Sequence, residues 1–106
     1  MRNGLYKVEF RTPLGFGAGV VTLHDGTVGG GDSGMYYAGT YQIKDSQFSA
    51  SVAVRRHTAG VPSTLGTDNA TLNLSGNISG DRAQLAGTTP NMPNLTFQAV
   101  LSRLAD

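Results

Sequence analysis

Cysteine and tryptophan are absent from this 106-residue chain, and charge is scarce. Without cysteine there is no disulfide framework, no thiolate metal site and no cysteine nucleophile. Only 14% of the residues are charged, and the formal net charge is +1 at pH 7. A nucleic-acid-binding face needs clustered Lys and Arg to neutralise phosphates, and the nearest approach to one is Arg55-Arg56-His57. That cluster is too small, so no nucleic-acid partner is expected. No apolar run reaches the roughly 18 residues of a membrane-spanning helix. The N-terminal stretch turns polar at Lys7 and Glu9 before a signal-peptide core can form. A cytoplasmic protein with no membrane association is the expectation. The Asn-x-Ser/Thr triplets at Asn69, Asn73, Asn77 and Asn94 then meet no glycosylation machinery; they read as outward strand positions alternating with Leu.

Glycine is what the chain has in excess: 15 residues, about twice the average share of roughly 7%. Between the glycines the apolar residues recur with period two. Residues 4–11 place Tyr6, Val8 and Phe10 on one face and Lys7 and Glu9 on the other. A second strand is predicted over 16–24, followed by Asp25-Gly26, whose types suit the two positive φ angles of a type I′ hairpin. Short strand 27–30 leads into a loop at Gly31-Asp32-Ser33-Gly34, and further strands are expected over 35–43 and 48–57. Residues 58–68, with Gly60, Pro62 and Gly66, form the longest predicted loop. Strands at 69–75, 82–88 and 94–104 complete the set, with turns at Gly76-Asn77 and Gly80-Asp81.

No window of the chain keeps helical spacing. About eight short strands imply one all-β domain spanning residues 1–106, an antiparallel β-barrel in preference to a sandwich, because closure removes exposed edges. Glycines 17, 19, 29 and 30 fall where a strongly curved sheet bends. Seven of the eight aromatic residues, Phe10, Phe16, Tyr36, Tyr37, Tyr41, Phe48 and Phe97, are assigned to the core, with part of this set lining an apolar cavity as the alternative. Gly4-Leu5-Tyr6-Lys7-Val8-Glu9 and Gly39-Thr40-Tyr41-Gln42-Ile43-Lys44 resemble each other, but one match of six residues is not a repeat.

Chemistry-bearing motifs are few. Gly15-Phe16-Gly17-Ala18-Gly19 imitates a nucleotide-binding loop, yet Val20-Val21 continues a strand where such loops open a helix. His24 and His57 stand alone, and a zinc site needs three or four ligands. Ser33 and Ser46 lack a nucleophile-elbow context. The reading is therefore non-enzymatic, with no cofactor and no metal. Gly30-Gly31-Asp32 is the unusual cluster. A structural loop is expected there, with a glycine at positive φ and Asp32 bonding nearby backbone N–H groups, and a loss of about 1 kcal/mol for Asp32→Ala. Function for Asp32 is the alternative.

The ordered set Gly4-Leu5-Tyr6-Lys7-Val8-Glu9-Phe10, His24-Asp25-Gly26, Gly30-Gly31-Asp32-Ser33 and Tyr36-Tyr37-Ala38-Gly39-Thr40-Tyr41 resembles the GrlR-type negative regulators of bacterial type III secretion genes. The closing Thr96-Phe97-Gln98-Ala99-Val100-Leu101 also fits, so the likeness spans most of the chain. The resemblance implies a lipocalin-like barrel with an apolar interior, a homodimer, and action by sequestering a transcriptional activator. It also implies a run of acidic residues in the turn after the Tyr-x-Gly strand. The matching turn here is Lys44-Asp45-Ser46-Gln47, where Asp45 is the only acid. Two functions follow as expectations. One is a regulatory protein-binding module, using Asp45, Arg55, Arg56 and the 58–68 loop. The other is a carrier or sensor that holds a small apolar ligand in the barrel, with Gly17, Gly19, Ala50 and Ala99 leaving the space.

Overall fold

Alternation along each strand is the feature from which the architecture follows. In a computed structural model describing residues 1–90 and 92–106, eight strands run in chain order. They are β1 (Gly4–Thr12), β2 (Gly15–His24), β3 (Thr27–Gly31), β4 (Met35–Lys44), β5 (Gln47–Arg56), β6 (Asn69–Ser79), β7 (Arg82–Thr88) and β8 (Phe97–Ala105). Each pairs antiparallel with the next, and β8 returns to β1, from Leu5↔Ala105 to Arg11↔Gln98. The result is an up-and-down barrel of the lipocalin-like kind, with no free sheet edge.

Inward positions are apolar, and outward positions are mostly polar, with exposed Phe16, Val20 and Tyr36 as exceptions on β2 and β4. Tyr6, Val21, Leu23, Phe48, Val52, Leu72, Leu85 and Leu101 are all buried in one continuous core. Lys7, Glu9, Thr71, Asn73, Gln84 and Gln98 alternate with such residues on the outside. This sense of alternation is the reverse of a membrane-spanning barrel, whose outward band is apolar. Among the described residues no helix is long and apolar enough to cross a membrane.

Tight hairpins join the strands at one end. Asp25 (φ 47°) and Gly26 (φ 89°) both lie in the left-handed region, as a type I′ turn requires. Asp45 (φ 58°) turns β4 into β5, and Gly80 (φ 62°) turns β6 into β7. The N-terminus closes this end. The Tyr6 hydroxyl donates to the Arg2 carbonyl at 2.6 Å, Asn3 bonds Asp25 through both its amide atoms, and Arg2 pairs with Asp81 at 3.0 Å. Behind them Tyr41 stacks on Phe48 with ring centroids 5.4 Å apart.

Three expectations need correction. Gly76-Asn77 is not a turn: both lie inside β6, paired with Leu85 and Gln84. Gly76 is there because a Cβ would stand 1.8 Å from the Gln84 carbonyl oxygen, a close approach instead of a reversal. Strand β8 begins at Phe97, not at residue 94. Its pairing with β1 stops at Arg11↔Gln98, and the preceding segment is held in a turn by Leu95 N–H donating to the Met92 carbonyl at 3.0 Å. Finally, Phe16 and Tyr36 are not core residues. They are 83% and 46% exposed, because the inward positions around them belong to Gly15, Gly17 and Gly19 on β2 and to Met35 and Tyr37 on β4.

Candidate functional site

Core side chains fill the hairpin end of the barrel and stop short of the other. A cavity of about 440 Å³ remains, with walls formed by residues such as Val21, Val28, Phe48, Val52, Leu72 and Leu85. Small residues create it: Gly17, Ala50 and Ala99 face it from β2, β5 and β8. Two glycines provide room in a second way. A Cβ at Gly17 would meet the Phe10 ring at 2.8 Å, and one at Gly19 would meet the Tyr37 hydroxyl at 3.0 Å. The two rings lie edge to face, with centroids 6.4 Å apart, and Phe10 also stacks on Phe97.

The β5–β6 loop, 57–68, folds across the mouth. Leu65 is its buried plug, 4% exposed. Arg56 organises the loop: its Nε pairs with Asp68 and its Nη1 donates to the carbonyls of Thr58 and Val61, at 3.1 and 2.7 Å. The Thr12 hydroxyl donates to the Thr64 carbonyl and accepts from Leu14 N–H at 3.1 Å. His57 Nε2 lies 2.9 Å from the Asp32 carbonyl, which can only accept, so that nitrogen carries the proton. Leu14 and Phe16, both exposed, add an apolar rim beside Val61 and Pro62.

Asp32 and Tyr37 are the polar couple of the cavity wall. Asp32 Oδ1 accepts the backbone N–H groups of Gly34 and Met35 at 2.9 and 2.8 Å, an Asx-type turn that reverses β3 into β4. Its Oδ2 accepts the Tyr37 hydroxyl. The expected backbone bonding of Asp32 is thus observed, but the expected positive φ is not. Gly30 and Gly31 end β3 in extended conformation. Glycine is required by close packing, since Cβ atoms there would stand 2.0 Å from the Val20 carbonyl oxygen and 2.6 Å from that of Met35. Tyr37 was legible as an inward aromatic. Its hydroxyl function had one available signal: a buried phenol needs a partner, and Asp32 is the nearest acid in the chain.

The remaining candidates separate. Arg56 and Asp32 lie at the same end of the barrel without bonding each other, whereas Asp45 sits exposed on a hairpin at the opposite end. Arg55 donates to the carbonyls of Val54 and Ala70, at 3.1 and 2.8 Å, pinning β5 to β6. Among the described residues no cluster of His, Cys, Asp or Glu could hold a metal ion.

Two predictions arise here. Asp32→Ala removes the acceptor for two backbone N–H groups and for a half-buried phenol. The loss is therefore about 2 kcal/mol, larger than a simple turn cap, and the melting temperature should fall by roughly 10 °C, with Asp32→Asn intermediate. The second concerns alkaline pH. Burial, then the hydrogen bond and charge of Asp32, push the Tyr37 phenol far up, and burial raises Tyr6. Both folded values exceed the unfolded one of about 10, so their contribution is intact below about pH 10 and declines as pH rises above it. Absorbance at 295 nm should show these two phenolates forming together with the loss of the near-ultraviolet circular dichroism signal.

The fold and the cavity define a class: an up-and-down β-barrel with an apolar chamber under a loop cap. No family model matches the sequence, and no curated protein sequence matches it either.

Proposed function

We propose that this protein binds a small, predominantly apolar molecule inside its barrel, as a non-catalytic carrier or sensor. One observation carries the reading: the chamber of about 440 Å³, within the roughly 300–1,000 Å³ of small-molecule sites. A barrel of this size can fill its interior with side chains. Here Ala50 and Ala99 stand where larger residues would do so, and an unfilled apolar space forfeits packing energy. An occupant that restores those contacts gives the space a physical purpose. The test is a fluorescence titration with N-phenyl-1-naphthylamine, a neutral probe that brightens in apolar surroundings. Saturable, one-to-one binding with a blue-shifted emission supports the proposal; an unchanged spectrum across the titration refutes it.

A second reading, docking onto another protein in the manner the GrlR resemblance implies, is favoured by a different observation. Phe16 and Val20 on β2 and Tyr36 on β4 are exposed on either side of β3, and the outward face between them, with Ala18, Gly29, Gly31 and Ala38, carries no charge. A transcriptional activator or a second copy of the chain would meet apolar surface there, and Asp45 alone would steer it little. Affinity for any co-purified protein should then change little between low and high salt, and Asp45→Asn should leave it intact. A steep salt slope would count against this reading.

A further inference from the structure

The chemistry of the polar couple narrows what the chamber accepts. Asp32 has no proton to give: Oδ1 is engaged by two backbone N–H groups and Oδ2 by the Tyr37 hydroxyl. Tyr37 has a single proton, and it is committed to Asp32. What the couple can still offer an occupant is lone pairs alone. Burial and the neighbouring carboxylate keep the Tyr37 phenol protonated, so this arrangement persists at neutral pH.

No counter-charge for an anion is present either. Among the described residues no Lys, Arg or His lines the chamber. Of the arginines at the mouth end, Arg56 is engaged by Asp68 and the loop carbonyls, Arg55 by carbonyls of β5 and β6, and Arg11 is exposed on the outer face of β1, outside the chamber lining. The hydroxyls of Ser33, Ser63 and Thr64 border the mouth, but a hydroxyl carries no charge to balance a carboxylate. A fatty acid entering head-first would bring its carboxylate toward Asp32. Entering tail-first, it would leave the couple without a donor.

We infer that the chamber selects an apolar molecule bearing a hydrogen-bond donor, such as a long-chain alcohol, and rejects the corresponding carboxylate. The donor reaches the free lone pairs of Tyr37 and Asp32, and the alkyl part occupies the space beside Ala50 and Ala99. This rests on the ligand-binding reading above and assigns its ligand class.

The test is displacement of bound N-phenyl-1-naphthylamine at pH 7.5 by three ten-carbon molecules: 1-decanol, decyl methyl ether and decanoate. They share a chain and differ in the head: donor, acceptor only, anion. Decanol should displace the probe at least about tenfold more effectively than decanoate, with the ether weaker than decanol. Asp32→Asn, which sets an amide donor in place of a carboxylate oxygen, should retain probe binding while the preference for decanol over the ether collapses; Tyr37→Phe frees Asp32 Oδ2 and should keep that preference. Decanoate displacing the probe as well as decanol overturns the donor inference and leaves apolar binding standing. Equal potency of the ether and decanol overturns it in the same way. Failure of the wild-type protein to bind the probe or to show heat with decanol in calorimetry removes both readings.

Discussion

Substitution of Gly39 by alanine is expected to cost the barrel a large part of its stability. A Cβ at Gly39 would stand 2.0 Å from the Ser51 carbonyl oxygen and 2.8 Å from the Val52 Cα, both backbone atoms of the paired strand β5. Neither can rotate away as a side chain would. Relief requires β4 and β5 to part, and this ladder is ten residues long, from Met35↔Arg56 to Lys44↔Gln47. The loss should reach about 3 kcal/mol or more, a large part of the roughly 5–15 kcal/mol that a domain possesses. Urea unfolding should show a lowered midpoint at constant slope. Gly29→Ala is the control, since a Cβ there meets nothing within 4 Å. A Gly39→Ala midpoint equal to that of Gly29→Ala would show that the pairing is looser than described.

The second large effect concerns the chamber. Ala50 faces it from β5, between Phe48 and Val52, opposite Tyr41 and Leu74. Ala50→Phe adds apolar volume where space exists, so the barrel should retain or gain melting temperature; filling a cavity commonly adds about 0.5–2 kcal/mol. Probe affinity should fall by at least about tenfold, because the ring takes the ligand's place. Binding and stability then move in opposite directions, which unfolding cannot mimic. Unchanged affinity with raised stability would place the probe elsewhere on the molecule.

The strands were legible because one face of each is buried, and period two is the direct consequence of that burial. Closure was legible from the same pattern, since eight half-buried strands without a helix have few other ways to cover themselves. Gly76 shows where such reasoning stops. A glycine beside an asparagine reads as a turn, and only the register with Gln84 reveals a crowded ladder position. Phe16 shows a second limit: an aromatic residue predicts burial, but strand parity decides, and here glycine holds the inward places. The site was half visible. Asp32 stood out because it interrupts a glycine run, and its turn bonds followed from side-chain length. The couple with Tyr37 depends on β3 and β4 folding back on each other, and the role of Arg56 in holding the cap depends on where the long loop crosses. Pairings across space have no period to betray them.

A ligand-binding barrel requires the probe to enter the chamber and not to rest on the outer wall. Methyl-resolved ¹H–¹³C spectra of the protein, recorded with and without N-phenyl-1-naphthylamine, separate the two directly. Val52, Leu72 and Leu85 face the chamber, whereas Val20 and Leu104 are exposed on the outside. Binding inside the chamber should shift the first group and leave the second unmoved. Shifts confined to Val20 and its exposed neighbours, with the chamber methyls unmoved, would contradict it.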